Sequence, residues 1–166
     1  MIRLLIFLFI IISFKSNDSH ASISKAQTKF NHKNNKYHQF NFIDKFGREV
    51  YFSGWNVSGA VKLKSMNFLP FKNTRDAQKS FSLMRKVAGS NVVRFTISWE
   101  GTHPAVGHID HIYMENMLNQ IKAAIENKIF VLLDYHQDLY TRHLFKKNSR
   151  FTGNGTPLWV TSQKKY

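Results

Sequence analysis

Within Val131-Leu132-Leu133-Asp134-Tyr135-His136-Gln137-Asp138, groups that bind protons, metals or hydroxyls fall at every second residue. In extended chain alternate side chains share a face. Asp134, His136 and Asp138 would therefore stand together at the polar end of an apolar strand. Three chemistries suit the set. A His flanked by two carboxylates could hold Zn²⁺ or Fe²⁺. The same groups could exchange hydrogen bonds with sugar hydroxyls. They could also form a strand-end network in which Asp134 fixes the loop and His136 is simply satisfied. The residues alone leave all three open.

Other chemistry-bearing residues lie upstream and downstream. In Val92–Ser98, Val93, Phe95 and Ile97 alternate with Arg94, Thr96 and Ser98. A guanidinium on a strand face must be met by a carboxylate or by carbonyls. Arg94 therefore either orients a catalytic carboxylate or bonds loop carbonyls, and no Asp or Glu on a neighbouring strand suggests itself as partner. Glu100 follows Trp99 and is expected to start a helix or cap a loop rather than act as a general acid. Trp55 and Asn56 end an earlier strand; Trp55 suits a core position better than a ligand platform. Lys62 follows on an irregular loop of the same rim. Thr152–Trp159 is a Gly/Asn/Pro loop carrying Trp159, in the place where functional loops occur.

The elements that must position these groups alternate. Phe40–Val57 contains two apolar stretches around Asp44-Lys45-Phe46-Gly47-Arg48, a hairpin signal with Gly at the turn, and the second stretch continues as a strand from Tyr51 to Val57. Asn73 or Thr74 caps a helix with Ala77, Phe81, Met84 and Ala88 at helical spacing, stopped by Gly89. Residues 91–99 form a strand. Asp110 caps a second helix carrying Tyr113, Met114, Met117, Leu118, Ile121 and Ile125 on one side, which Asn127 ends. Residues 129–136 form a third strand. Strands alternating with helices indicate parallel βαβ units. A sheet covered by helices on both faces would want both faces apolar, whereas a (β/α)8 barrel tolerates polar side chains inside, toward its C-terminal end. The fold class is therefore α/β: the N-terminal portion, about three βα units, of a (β/α)8 barrel preceded by a β-hairpin. Such a barrel needs ~250 residues, so the 166 residues read as the first part of a larger fold.

Bulk properties narrow the classes. The chain has no Cys, which excludes disulfides and thiolate metal sites. Met1–Phe14 joins a single Arg to a short apolar run, and Ser19 and Ala21 occupy the small-residue positions of a cleavage site, so residues 1–21 read as a secretory signal peptide, with an uncleaved anchor as the alternative. Secretion or periplasmic export follows. Residues 22–39 are an Asn/Lys-rich polar arm, and 40–166 are the incomplete barrel. The net charge of +14 is spread along the chain. That argues against a nucleic-acid interface, and suits an anionic membrane surface or acidic glycans.

Four segments together resemble glycoside hydrolase family 5, the cellulase-like (β/α)8 family, and within it the endoglycoceramidase-like branch: FIDKFGREVYFSGWNVSGAVK, NVVRFTISWEGTHPAVGHIDHIYMENM, VLLDYHQDLY and GNGTPLW. HQD followed by GNG.P.W is the more specific part, and the hairpin departs from the usual Asp-Gly-Arg in having Asp displaced. The resemblance implies that Arg94 supports the nucleophile, that His136 lines the −1 sugar site, and that Asp138 and Lys62 contact substrate hydroxyls; Trp55, Lys62 and His136 would carry glycan binding if the chain is a non-catalytic remnant. It implies retaining hydrolysis of a β-glycosidic bond, possible substrates being glycosylceramides, by two Glu residues without metal or other cofactor. Both catalytic Glu are expected beyond Tyr166, so the chain alone is expected to be an inactive, truncated glycosidase. The alternatives are a non-catalytic glycan- or glycolipid-binding remnant, and a metal-dependent hydrolase using Asp134, His136 and Asp138.

Overall fold

The computed structural model describes residues 23–30, 38–146 and 152–161. The segment expected to be a signal peptide lies outside them. Among the described residues no helix is long and apolar enough to cross a membrane. The chain divides into two compact units between Ser53 and Gly54.

The first unit is a three-stranded antiparallel sheet in the order β1-β2-β3, with β1 Ile23–Phe30, β2 His38–Asp44 and β3 Glu49–Val50. The hairpin between β2 and β3 forms where the sequence places it, and its turn depends on the displaced Asp. Asp44 Oδ1 accepts the N–H groups of Phe46 and Arg48, both at 2.9 Å, and Oδ2 accepts Arg48 Nε at 2.8 Å. Gly47 supplies the left-handed residue, with φ 80°. Burial alone would raise the Asp44 carboxyl, but the bonds from Arg48 and Phe46 outweigh it and hold it low. Strand β1 lies inside the segment expected to be a polar arm. Its pairing uses main-chain hydrogen bonds, which an Asn/Lys-rich stretch supplies as well as an apolar one. The hairpin thus groups with β1 rather than with the strands that follow.

The second unit carries the parallel sheet β4-β5-β6, with β4 Gly54–Val57, β5 Val92–Ile97 and β6 Phe130–Tyr135. The strand expected over 51–57 is thus confined to its last four residues. Two helices connect these strands, α1 Thr74–Lys86 and α3 His111–Glu126. Between β5 and α3 lies the short α2, Trp99–Thr102; α4, Leu158–Thr161, follows the loop after β6. The caps are those the sequence indicates. Asn73 accepts from the Asp76 N–H and Asp110 from the Tyr113 N–H, each at 2.9 Å, and Asn127 closes α3.

One face of the parallel sheet builds the core. Val57, Val93, Phe95, Ile97 and Val131 pack with Ala77 and Phe81 of α1 and with Tyr113, Met117, Ile121 and Ala124 of α3. Gln120, fully buried, donates to the Phe71 carbonyl at 2.9 Å and accepts the Phe71 N–H at 3.3 Å, fastening the β4–α1 loop to α3. The opposite face carries Asn56, Arg94, Thr96, Leu132 and Asp134. The alternation that argues for a barrel interior is therefore present in the structure.

Candidate functional site

Parallel register sets Asn56 beside Arg94 and Arg94 beside Leu132. Asp134 stands two residues further along β6 on the same face, within diagonal reach of a long side chain. The Arg94 guanidinium takes that diagonal: Nη2 lies 2.7 Å from Asp134 Oδ2, and Nη1 donates to Asn56 Oδ1 at 3.3 Å. Arg94 thus has a carboxylate partner on the neighbouring strand, contrary to the expectation from sequence. The pair was hidden because it is offset along the strands and 40 positions apart in the chain.

Asp134 is also held by His136, whose Nδ1 lies 3.1 Å from the same Oδ2 and 3.3 Å from Arg94 Nη2. The other ring nitrogen, Nε2, lies 3.1 Å from Asp138 Oδ2, and Lys62 Nζ meets that oxygen from the β4–α1 loop. The result is one continuous row: Asn56, Arg94, Asp134, His136, Asp138, Lys62. The neutral ring with its hydrogen on Nε2 satisfies Asp138 while accepting from Arg94, and the imidazolium donates to both carboxylates. Lys62 is the main reason that the Asp138 carboxyl sits below its ordinary range, with His136 adding to it against the cost of burial. Asp134 is buried, while Asp138 and Lys62 are half-exposed at the open end.

The structure therefore brings Lys62, Arg94, His136 and Asp138 into one cluster with Asp134. Trp55 does not join it. It shares the helix-covered face with Val57, is 53% exposed rather than in the core, and donates its indole N–H to Ser90 Oγ at 2.9 Å, toward the N-terminal end of the strands. The metal reading also changes. Asp134, His136 and Asp138 do share a face, but they meet around the imidazole, with each carboxylate facing a different ring nitrogen and its own cation. Among the described residues no group of three or more His, Asp or Glu side chains is placed to hold a metal ion.

A second set of contacts ties the rim loops together. Glu100, in the first turn of α2, takes a two-point bond from Arg142: Nε to Oε2 at 2.7 Å and Nη2 to Oε1 at 2.6 Å, with His143 Nε2 at 3.2 Å. It thus sits at the helix entry expected of it and clamps α2 to the Arg142 loop. Trp159 sets its ring edge-on to Trp99, centroids 6.1 Å apart, and donates to the His103 carbonyl at 2.9 Å. Sequence reasoning missed Arg142 and His143, because nothing near them marks a partner in a loop some 40 residues earlier.

The sequence and the fold of the chain are similar to those of known proteins. The sequence model of the Cellulase family (glycosyl hydrolase family 5) matches residues 43–164. The ergosteryl-beta-glucosidase of Saccharomyces cerevisiae is 29% identical over 144 residues, covering 72% of this chain and 18% of that protein. The endoglycoceramidase of Cyanea nozakii is 25% identical over 120 residues, covering 72% of this chain and 22% of that protein. The chain thus spans about a fifth of the length of the curated relatives it matches. Among solved structures, endo-glycoceramidase II from Rhodococcus sp. in complex with ganglioside GM3 superposes with a TM-score of 0.58 at 30% identity, covering 73% of this chain and 27% of that one. The three parallel strands are part of a (β/α)8 barrel. This chain belongs to glycosyl hydrolase family 5.

Proposed function

We propose that the chain forms part of the sugar-binding face of a retaining β-glycosidase that acts on glycolipids of the glycosylceramide kind. The row from Asn56 to Lys62 at the C-terminal ends of the strands carries this reading, because barrel enzymes assemble their sites there. In it, His136 lines the sugar pocket, Asp138 and Lys62 bond hydroxyls at its open end, and Arg94 with Asp134 holds the imidazole in place. Relatives named for ergosteryl and ceramide glycosides support a lipid aglycone.

Retention needs two carboxylates about 5–5.5 Å apart that are available to the substrate. Among the described residues the rim carboxylates are engaged: Glu100 by Arg142, Asp134 by Arg94, Asp138 by Lys62. Asp134, Asp138 and Glu100 therefore do not serve as the acid/base and nucleophile pair, and these 166 residues are expected to bind glycan without cleaving it. The apolar start supports export, and the basic charge supports contact with anionic membranes.

The test uses the 166-residue chain with glucosylceramide in detergent micelles. The expected result is saturable binding, no release of glucose above blank, and at least tenfold weaker binding in His136→Ala. Release of glucose by these 166 residues would refute the non-cleaving role. Absence of binding would refute the reading as a whole.

A further inference from the structure

Asp138 stands at the start of a strained stretch of backbone. The next two residues, Leu139 with φ 50° and Tyr140 with φ 66°, both occupy the left-handed region, where a Cβ crowds the following carbonyl. Two such residues in succession persist only where their surroundings over-determine them.

Those surroundings are the Gly153–Thr156 segment, whose residues are all buried. The Asp138 N–H donates to the Asn154 carbonyl at 2.9 Å, and the Asn154 N–H donates back to the Asp138 carbonyl at 2.8 Å. The Thr156 N–H donates to the Tyr140 carbonyl at 2.9 Å, and the Thr141 hydroxyl donates to the Thr156 carbonyl at 2.6 Å. Asn154, only 3% exposed, spends its carboxamide two residues before Asp138, with Nδ2 donating to the His136 carbonyl at 3.1 Å. The approach is backbone against backbone. A Cβ on Gly153 would lie 2.5 Å from the Thr141 carbonyl oxygen and 2.9 Å from that of Asp138.

We propose that Asn154 is the positioning residue of the Lys62–Asp138–His136 set. Its main chain fixes both backbone groups of Asp138 and its side chain fixes the carbonyl of His136, so the carboxylate and the imidazole keep one mutual geometry at the open end of the site. Asn154 works through Asp138 and His136, not by touching the sugar. The inference rests on the reading of Asp138 and Lys62 as sugar contacts, so the test separates the two.

In the full chain, the Asp138 carboxyl is titrated by ¹³C NMR and its amide exchange is followed, in the native protein, Asn154→Ala and Gly153→Ala. Cellobiose affinity is measured on the same samples. In both variants the Asp138 titration moves up toward the ordinary carboxylate range, because the approach of Lys62 is no longer fixed. Its amide exchanges at least tenfold faster, the Val93 and Phe95 amides keep their protection, and cellobiose affinity falls about tenfold. Native titration and exchange at Asp138 in both variants would overturn the proposal, as would loss of protection at Val93 and Phe95 in step with Asp138. A shift at Asp138 with undiminished cellobiose affinity upholds the positioning role and overturns the sugar-contact reading.

Discussion

Arg94 and Lys62 each face one carboxylate of the row, but their surroundings differ. Asp134 is buried, and removing the guanidinium leaves its carboxylate with His136 alone in a place that water reaches poorly. Asp138 and Lys62 are both half-exposed, where solvent screens the pair. Arg94→Met is expected to lower stability by about 1–3 kcal/mol, and Lys62→Met by no more than about 1 kcal/mol. Urea denaturation of the two variants checks the order, and a reversal would contradict the burial argument. The lowered Asp138 carboxyl also fixes a pH dependence. A group whose folded pKa is depressed stabilises the fold above its ordinary value of 3.8, and that contribution is lost as pH falls through the folded value. Lys62→Met shrinks this acid limb, because it removes the largest cause of the shift.

At the scale of elements, α3 meets the end of β5 through Tyr113. Its hydroxyl accepts the Ser98 N–H at 3.0 Å and donates to the Phe68 carbonyl at 3.4 Å, and its ring leaves no room for a side chain at Gly101. Burial pushes the phenol up to about 12. A raised folded pKa means that stability is complete below the ordinary value of 10.0 and falls as pH rises toward 12. The loss is of the order of 2–3 kcal/mol. Tyr113→Phe is expected to be less stable at pH 8, since the Ser98 N–H loses its partner at about 1–3 kcal/mol, yet to lack this alkaline limb. Urea midpoints at pH 8 and pH 11 make the comparison. Tyr113 was legible in the sequence as an apolar-face residue of α3, the cap Asp110 was legible outright and the other cap was narrowed to Asn73 or Thr74, because caps and periodicity are local signals. Strand β1 was not, since edge pairing is a main-chain affair that composition does not mark. The Arg94–Asp134 and Glu100–Arg142 pairs were not either: the first needs the register of two strands and the second the meeting of two loops. The face shared by Asp134, His136 and Asp138 was readable from spacing alone, but what occupied its centre was not.

For the molecule as a whole, 24 Lys and Arg stand against 10 Asp and Glu. Several of the carboxylates are already spent on specific ion pairs, so the remaining cations repel one another across the surface. Raising NaCl from about 20 mM to about 300 mM shortens the screening length severalfold and is expected to raise Tm by a few degrees. A fall in Tm would mean that the ion pairs outweigh the repulsion. The same charges bear on how the sheet assembles. Side chains alternate along a strand, so sliding β6 by one residue against β5 would turn Asp134 and His136 onto the helix-covered face. There the Asp134 carboxylate would press against Phe95 and Ile97 with no counterion, and Arg94 would be stranded on the other side. Mispaired sheets therefore bury unmatched charges, whereas the native one matches them. Besides holding the His136 imidazole, the Arg94–Asp134 diagonal would act as a proofreading contact, rejecting wrong strand registers while the chain folds.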